Sequence, residues 1–454
     1  MKHSKRAVVI GASMAGLLAA RALSYTFTNV IVIDRDVLPD SSVARRSVPQ
    51  GKHLHGLLAR GLNSLNELFP GFEDEMMAAG AARGDIQADI HWYVDGYLMK
   101  PVPSGLIGIA SSRPLLELKV RERVAALPGV EIIQNCDVLD LRTTGERGRV
   151  TGVGIMSRTD GAAATTIEAD LVVDAGGRGS RSPVWLEELG YQRPQETKVA
   201  MDITYSTRMY RREPQDLDGR LGTGISTYPG SPHGGFLLAV EADQFILSVG
   251  GMFGEQPPMD DEGLAAYAET LPCKDIADFL RTSTRLTEPV KTRCPASIRR
   301  HYEKLTDFPA GYLVTGDALC SFNPVYGQGM TVAALEALLL RDLLAAGPKD
   351  LARRFFHGAA KLVDTPWTIA TGSDMRFPEA NISISHKNRL LNRYFGRVYL
   401  AASRDSAVAT VFLRVINLVD TPARLFAPGM VARVVRACFP KVSRVSETTL
   451  VGGS

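Results

Sequence analysis

Cysteine, long hydrophobic runs and net charge are all scarce in this sequence, and each shortage excludes a class of protein. The 454 residues include five cysteines, which are far apart and form no CxxC pair. This spacing argues against a zinc site and against a disulfide scaffold, and it predicts a reducing, cytoplasmic environment. No apolar run reaches the roughly 18 residues of a membrane span, so we expect a soluble protein. The formal net charge of +3 is too small to indicate a nucleic-acid partner.

The overall composition is that of an ordinary globular protein, with 45% hydrophobic and 22% charged residues. At about 150 residues per domain, the chain has room for two or three domains. Its charge is distributed unevenly, because the segment from Arg376 onward holds 12 Lys and Arg but only 4 Asp and Glu. We interpret this segment as the solvated face of a helical cap, and contact with an anionic membrane is the less favoured alternative.

The N-terminus has the pattern of a dinucleotide-binding βαβ unit. Two short apolar runs, typical of buried parallel strands, flank a Gly-containing turn and an Ala- and Leu-rich helix. Gly11 permits the tight turn, Gly16 lets the helix pack on the strand, and the helix N-terminus faces a pyrophosphate. Asp34 follows the second strand, where a carboxylate binds an unphosphorylated ribose, as in FAD or NAD. Ser13 replaces the usual middle glycine, and its hydroxyl can cap the helix or bond a phosphate.

Two later segments favour FAD as the dinucleotide. The first is an apolar strand that ends at Asp317 and precedes a long helix opened by residues 327–330. A carboxylate there can bind a sugar or ribityl hydroxyl, and the helix N-terminus would stabilise a reduced, negatively charged flavin. Pro324, which lies between Asp317 and that helix, fits a turn pressed against the isoalloxazine ring. The second segment, a strand followed by the Gly-rich residues 175–181, is interpreted as another loop around the same cofactor, and no separate NAD(P)H-binding domain is recognisable.

These motifs resemble those of a known enzyme superfamily. GASMAG with Asp34, DAGGRGSR and LVTGDALCSFNPVYGQGM are similar, in spacing and order, to the p-hydroxybenzoate-hydroxylase superfamily of FAD-dependent monooxygenases. RRSVPQGKHLH at residues 45–55 and ASSRPLL at residues 110–116 resemble the bacterial polyether epoxidases of the monensin and lasalocid type, which are relatives of squalene epoxidase. The resemblance covers most of residues 5–365, and its motifs are more specific for the flavin fold than for epoxidation.

The resemblance also implies which residues contact FAD. Arg45 and Arg113 would contact the cofactor, and Asp317 would lie on its ribityl–phosphate side. Asp137 and Val138 would lie beside the adenine. The expected cofactor-binding residues are Gly11, Ser13, Met14, Ala15, Gly16, Asp34, Arg35, Arg45, Arg113, Asp137, Val138, Asp317, Pro324, Gly327, Gln328, Gly329 and Met330.

His53 and His55 form an HxH pair, which is a possible metal signature. No nearby Cys or acidic cluster completes a site, so we predict no metal. We identify no catalytic residue, because in flavin chemistry the cofactor carries the reaction and the protein orients the substrate and excludes water.

The predicted fold is of the α/β class, with a discontinuous Rossmann-like FAD-binding domain, a mainly antiparallel substrate domain and a C-terminal helical region. The expected boundaries are residues 1–75, 103–190 and 291–365 for the FAD-binding domain, 76–102 and 191–290 for the substrate domain, and 366–454 for the helical region.

The function implied by the resemblance is oxygen transfer. A C4a-hydroperoxyflavin, formed from reduced FAD and O₂, would epoxidise or hydroxylate a hydrophobic natural product of polyketide or terpenoid type. NAD(P)H, bound transiently, or a separate flavin reductase would supply the electrons. The rival hypotheses are an alkene-reducing enzyme similar to geranylgeranyl reductase and a non-catalytic FAD-binding protein. A flavin halogenase shares the fold, but its WxWxIP signature is missing from the sequence.

Overall fold

The computed structural model describes residues 5–380 and 386–439. The expected helical region of residues 366–454 therefore lies partly outside the described residues. The described strands are β1 (Arg6–Ile10), β2 (Asn29–Ile33), β3 (Ala82–Asp85), β4 (Ile90–Val94), β5 (Tyr97–Leu98), β6 (Ile107–Ala110), β7 (Val130–Ile133), β8 (Cys136–Thr143), β9 (Val150–Ser157), β10 (Thr165–Glu168), β11 (Leu171–Asp174), β12 (Glu196–Arg211), β13 (Gly222–Ile225), β14 (His233–Val240), β15 (Gln244–Gly251), β16 (Val290–Arg300), β17 (Tyr312–Val314) and β18 (Cys320–Ser321). The described α-helices are α1 (Met14–Leu23), α2 (Ala59–Leu68), α3 (Phe72–Ala78), α4 (Arg113–Ala125), α5 (Ser182–Glu188), α6 (Asp261–Glu269), α7 (Asp275–Thr282), α8 (Gly329–Ala345), α9 (Leu351–Asp374), α10 (His386–Ala402), α11 (Ser406–Ile416) and α12 (Pro428–Cys438).

A five-stranded parallel sheet forms the first layer, in the order β17-β11-β1-β2-β7. Val8 of β1 lies between Ile31 of β2 and Val172 of β11, and the central strands are buried on both faces. This burial explains why their sequences are continuous apolar runs instead of alternating ones. The predicted βαβ unit is therefore present, and the carboxyl ends of its strands form one edge, where open α/β sheets bind ligands.

An eight-stranded sheet forms the second layer, in the order β18-β16-β12-β15-β14-β13-β4-β5. Its central strand β12 pairs antiparallel with β15 on one side and with β16 on the other. The one exception among the described pairs of this sheet is β13, which runs parallel to β4. The predicted antiparallel sheet is thus confirmed as part of an α/β fold, and it also recruits the segment around β4 and β5.

The C-terminal helices α10, α11 and α12 pack into a separate hydrophobic cluster. Val398, Leu413 and Val434 are fully buried in it, and Met99 and Leu106 from the segment between β5 and β6 also belong to it. The helical region is thus attached to the body of the protein by buried apolar surface, whose removal from water is the main stabilising contribution. In residues 5–380 and 386–439, every helix is too short or too polar to span a bilayer.

Candidate cofactor site and adjoining cavity

The Gly-rich turn after β1 leaves no room for a side chain at Gly11 or Gly16. Gly11 has φ +99°, and a Cβ on Gly16 would lie 1.7 Å from the carbonyl oxygen of Gly11. Only glycine adopts a left-handed backbone conformation, and allows such a close contact between helix and strand, without strain. The backbone at the start of α1 is therefore open to a ligand that approaches its N-terminus.

Asp34, directly after β2, is hydrogen-bonded to the turn that follows β1. Its carboxylate is buried and accepts hydrogen bonds from the backbone N–H of Ala12 (2.6 Å) and from that of Asp36 (2.8 Å). Arg45 Nη1 lies 3.3 Å from Asp34 Oδ1. The structure thus places this carboxylate against the Gly-rich turn, as the spacing of the motif predicts.

A buried ion cluster lies beside this turn and contains a residue that the sequence analysis missed. Glu117 of α4 accepts a hydrogen bond from Arg45 Nε (2.7 Å) and lies 2.8 Å from Arg113 Nη1. Arg45 is 6% exposed and Arg113 is 5% exposed. Burial acts to raise the pKa of Glu117, but Arg113 and Arg45 outweigh it and lower that pKa. The spacing of Glu117 four residues after Arg113 is the sequence signal that could have identified it.

Ser13 belongs to this cluster and does not cap the helix. Its hydroxyl lies 3.1 Å from Glu117 Oε2 and accepts a hydrogen bond from Arg113 Nη2 (3.0 Å). The side chain forms no capping hydrogen bond to α1. The capping interpretation is therefore wrong, because the buried charges of Arg113 and Glu117 bind the hydroxyl more strongly than a backbone N–H does.

Asp317 lies on the other side of the same turn. Gly316 has φ +63°, and a Cβ on it would lie 2.5 Å from the Cβ of Ala15, so the Gly-Asp turn packs directly on the Gly-rich turn. Burial raises the pKa of Asp317, although the positive charges of Arg178, Arg113 and Arg300 oppose this. The carboxyl also faces the start of α8, where a Cβ on Gly329 would lie 3.6 Å from its Oδ1.

The segment before α8 adopts the turn that its glycines predict. Pro324 begins a single 3₁₀ turn, Gly327 is left-handed with φ +63°, and α8 begins at Gly329. Gln328 is buried, and its Oε1 has no hydrogen-bond partner among the described residues. Met330 is half-buried in the first turn of α8. The segment of residues 324–328, called the flavin-facing turn below after its expected role, contains polar groups that can meet a ligand.

Three expected contacts lie at the margin of this arrangement, and their roles stay predictions. The side chain of Arg35 is exposed and donates to Ser47 Oγ (3.0 Å). Asp137 pairs with Arg158 at 2.7 Å near the surface. Val138 follows it in β8, whose first backbone N–H donates to the carbonyl oxygen of Asp34 (3.0 Å). The strand therefore starts beside the group of residues called the cradle below, while Arg35 is bonded elsewhere. The cradle consists of the turn at residues 11–16, Asp34, Arg45, Arg113, Glu117 and Asp317.

The described residues fit an FAD molecule. The Nη1 atoms of Arg45 and Arg113 are buried without a hydrogen-bond acceptor of suitable geometry in the described chain, although carboxylates lie near them. The open N-terminus of α1 suits a pyrophosphate, and the Asp34 carboxylate suits a ribose. A bound dinucleotide would provide hydrogen-bond partners for the buried arginine N–H groups, for the N-terminus of α1 and for the carboxylate of Asp34.

A large apolar cavity adjoins the flavin-facing turn. Its volume is about 650 Å³, and it lies between the eight-stranded sheet, the turn and the helices α9, α10 and α11. Polar groups on its wall include Ser248 and Tyr326. Its aromatic lining comes from the sheet and from these helices and includes Trp92, Tyr205, Phe236, Trp367, Phe395 and Phe412.

His53 of the HxH pair joins a buried chain of polar groups. Its Nδ1 lies 2.8 Å from Thr207 Oγ1, which is 2.6 Å from Ser248 Oγ on the cavity wall. Burial, with a smaller contribution from Lys52, lowers the pKa of His53 to about 4, so the ring is neutral at pH 7. In the described part of the chain, no three His, Cys, Asp or Glu side chains form a group that could hold a metal ion.

Comparisons with known proteins agree with this geometry. No family model matches the chain. Protein Rv3254 of Mycobacterium tuberculosis is 35% identical over 431 residues, covering 91% of this chain and 90% of that protein. Kynurenine 3-monooxygenase of Salinispora arenicola is 25% identical over 384 residues, covering 79% of this chain and 77% of the enzyme. The crystal structure of a flavoprotein/dehydrogenase from Cytophaga hutchinsonii has the same fold, with a TM-score of 0.66, 16% identity and coverage of 95% and 98% of the two chains.

The chain has the fold of FAD-binding flavoproteins, and its sequence is similar to those of FAD-dependent monooxygenases. Within this class the chain belongs to the same family as Rv3254. The comparisons support the expected resemblance to FAD-dependent monooxygenases, and the polyether-epoxidase subtype stays a prediction.

Proposed function

We propose that the protein is an FAD-dependent monooxygenase that epoxidises or hydroxylates a hydrophobic small molecule of polyketide or terpenoid type. The observation that carries the proposal is the aromatic-lined cavity of about 650 Å³ that begins at the flavin-facing turn. Binding pockets of this size bury most of a small molecule, and an apolar wall with few polar groups selects an apolar one. The motifs around Arg45 and Arg113, which resemble those of polyether epoxidases, favour an alkene as the reacting group.

The residues of the cradle would hold the cofactor. Asp34 would bind the ribose, the N-terminus of α1 would face the pyrophosphate, and Asp317 would bind a hydroxyl of the ribityl chain. Arg45 and Arg113, oriented by Glu117, would add positive charge beside the phosphates. When bound and reduced, FAD supplies the two-electron activation of O₂ that oxygen transfer requires.

The cavity wall would orient the substrate and exclude water. Aromatic side chains bury large areas at low cost in conformational entropy, and they leave few positions where a water molecule is held. Tyr326 donates from its hydroxyl to Asp374 Oδ1 (2.9 Å), and Asn323 donates to the same oxygen (3.0 Å). These two bonds hold the flavin-facing turn against the end of α9, beside the part of the cavity where the flavin would lie.

Electrons would come from NAD(P)H or from a separate flavin reductase. The described residues contain a single parallel sheet with one Gly-rich βαβ cradle. A second nucleotide would therefore have to bind transiently on another surface. Steady-state assays with NADH, NADPH and a purified flavin reductase would distinguish these sources.

The test is a single turnover with labelled oxygen. FAD-loaded protein is reduced chemically without O₂, mixed with a panel of hydrophobic alkenes, and then exposed to ¹⁸O₂. We expect one ¹⁸O atom in an epoxide or alcohol product. A saturated product, in which the double bond has gained two hydrogens and no ¹⁸O, would support the reductase alternative and overturn the proposal. Stable FAD binding without any conversion across the panel would favour a non-catalytic flavoprotein.

A further inference from the structure

A basic groove lies at one end of the cavity. We define the basic groove by Arg376, His386, Arg389 and Arg393, and Leu390 also contributes to its lining. Its volume is about 660 Å³. Three of the four defining side chains come from the first two turns of α10, so a single helix presents most of the positive charge.

The groove adjoins the cavity, because Arg376 and Asn392 line both of them. A molecule that enters the cavity through the groove therefore passes from charged to aromatic surroundings. This change of lining along one passage matches an amphiphile, with an apolar body and a charged head.

The charge of the groove is only partly neutralised. Arg376 is fixed by an ion pair with Asp95 at 2.6 Å and lies over the ring of Tyr399, 5.5 Å from its centroid. Arg389 and Arg393 are one helical turn apart, and neither has an acidic side chain within ion-pair distance among the described residues. Arg389 Nη2 instead lies 3.1 Å from His386 Nδ1. Two neighbouring guanidinium groups are therefore available to an anion.

We propose that the basic groove binds the anionic head, a carboxylate or a phosphate, of an amphiphilic substrate whose apolar body occupies the cavity. The inference rests on the proposed function and narrows its substrate class. Guanidinium groups bind both anions through paired hydrogen bonds, which gives the head a fixed position as well as affinity. When the head is held in the groove, its distance from the flavin-facing turn determines which carbon atoms of the apolar body reach that turn. The groove therefore determines the position of oxidation.

The test uses FAD-loaded, full-length protein and four C18 ligands that share the same chain: oleate, oleyl phosphate, oleyl alcohol and oleylamine. Binding is followed by tryptophan fluorescence below the critical micelle concentration, because two of the three tryptophans, Trp92 and Trp367, line the cavity. We expect oleate and oleyl phosphate to bind about tenfold more tightly than oleyl alcohol. Oleylamine should bind most weakly, and the preference should decrease with added salt.

The matched variants separate the groove from the general charge of the helix. Replacing both groove arginines (Arg389→Gln with Arg393→Gln) should bring oleate to within twofold of oleyl alcohol. Arg397→Gln, one turn further along α10 and outside the groove lining, should leave the preference unchanged. Equal binding of oleate and oleyl alcohol to the native protein, or an equal loss in Arg397→Gln, would overturn the proposal.

Two further comparisons distinguish a soluble anionic ligand from a membrane lipid, and this proposal from the proposed function on which it rests. If phosphatidylglycerol vesicles bind through Arg389 and Arg393 while soluble oleate and oleyl phosphate do not, the groove is a membrane-docking surface and the proposal is wrong. If the anionic ligands bind as expected but no substrate incorporates ¹⁸O, the proposed function fails while the binding site stands. If neutral alkenes incorporate ¹⁸O and the groove shows no preference for an anionic head, this inference alone fails.

Discussion

Glu117 and Arg113, one turn apart on α4, form a buried ion pair of 2.8 Å at the edge of the dinucleotide cradle. Because Glu117 also binds Arg45, one carboxylate contacts two arginines that lie 68 residues apart in the chain. The pair therefore fixes the positions of both positive charges before any cofactor is bound. Because the two arginine side chains are already in position, FAD binding requires less reorganisation of the protein.

Replacing Glu117 by Gln should destabilise the protein and weaken FAD binding. Loss of one partner from a buried ion pair costs about 3–5 kcal/mol, because the remaining charge is left unpaired. The free energy of unfolding from urea titrations and the FAD dissociation constant measure the two effects. Glu122→Gln is the matched control, since Glu122 lies on the same helix and pairs with Lys119 at the surface. Equal stability of the two variants would contradict the central role of Glu117.

Replacing Asp34 by Ala should weaken FAD binding. The carboxylate would lose charge-assisted hydrogen bonds to the ribose worth about 1.5–3 kcal/mol, which corresponds to a tenfold to hundredfold higher dissociation constant. Fluorescence titration of the apoprotein with FAD measures this change. Glu131→Gln on the neighbouring strand β7 provides the control, because that side chain is exposed. Unchanged affinity in Asp34→Ala would remove the ribose assignment.

A methyl group on Gly16 should prevent FAD loading. Its Cβ would lie 1.7 Å from a backbone oxygen, so α1 would have to move away from β1. Gly396→Ala, on α10, is the contrasting variant, because no atom lies within 4 Å of the added Cβ. That change should stabilise the protein by up to about 1 kcal/mol through helix propensity. The FAD absorbance of the purified proteins and their melting temperatures test both expectations. Normal FAD content in Gly16→Ala would show that the cradle tolerates a side chain.

Glu336 should make the native protein less stable as the pH rises from about 5 to 8. Burial raises its pKa to about 7, although Thr315 and the backbone of Gly316 donate hydrogen bonds to it. The folded state therefore holds a proton that the unfolded state releases near pH 4.5, and stability decreases as this proton is lost. Glu336→Gln should be less sensitive to pH over this range, by on the order of 3 kcal/mol. Parallel slopes for the two proteins in urea titrations at pH 5, 6, 7 and 8 would exclude this assignment.

The sequence predicts the local parts of the structure well. The turn between Gly11 and Gly16, the acid at Asp34 and the glycines before α8 each follow from a steric or electrostatic demand that acts over a few residues. Such demands leave a pattern that is visible without knowledge of the rest of the chain.

The parts that could not be predicted depend on contacts between distant residues. Glu117 is an ordinary helix residue until folding brings Arg45 to it from 72 positions away. The parallel pairing of β4 with β13 joins strands separated by about 130 residues, and neither strand's apolar pattern identifies its partner. The basic excess after Arg376 is visible in the sequence, but the position of Arg389 and Arg393 in a groove beside the cavity is not.

The long helix α9 has a consequence for how this protein can be divided and recombined. It runs without interruption from Leu351 to Asp374, so the junction expected near residue 365 falls inside a helix that carries Trp367 on the cavity wall. A chimaera that exchanges the C-terminal region would have to join the chains before Leu351. A junction at residue 365 would combine half a helix from each parent and leave the cavity with mismatched walls. The helical region thus forms part of the cavity wall together with the eight-stranded sheet, so an exchange of one changes the surface that the other meets.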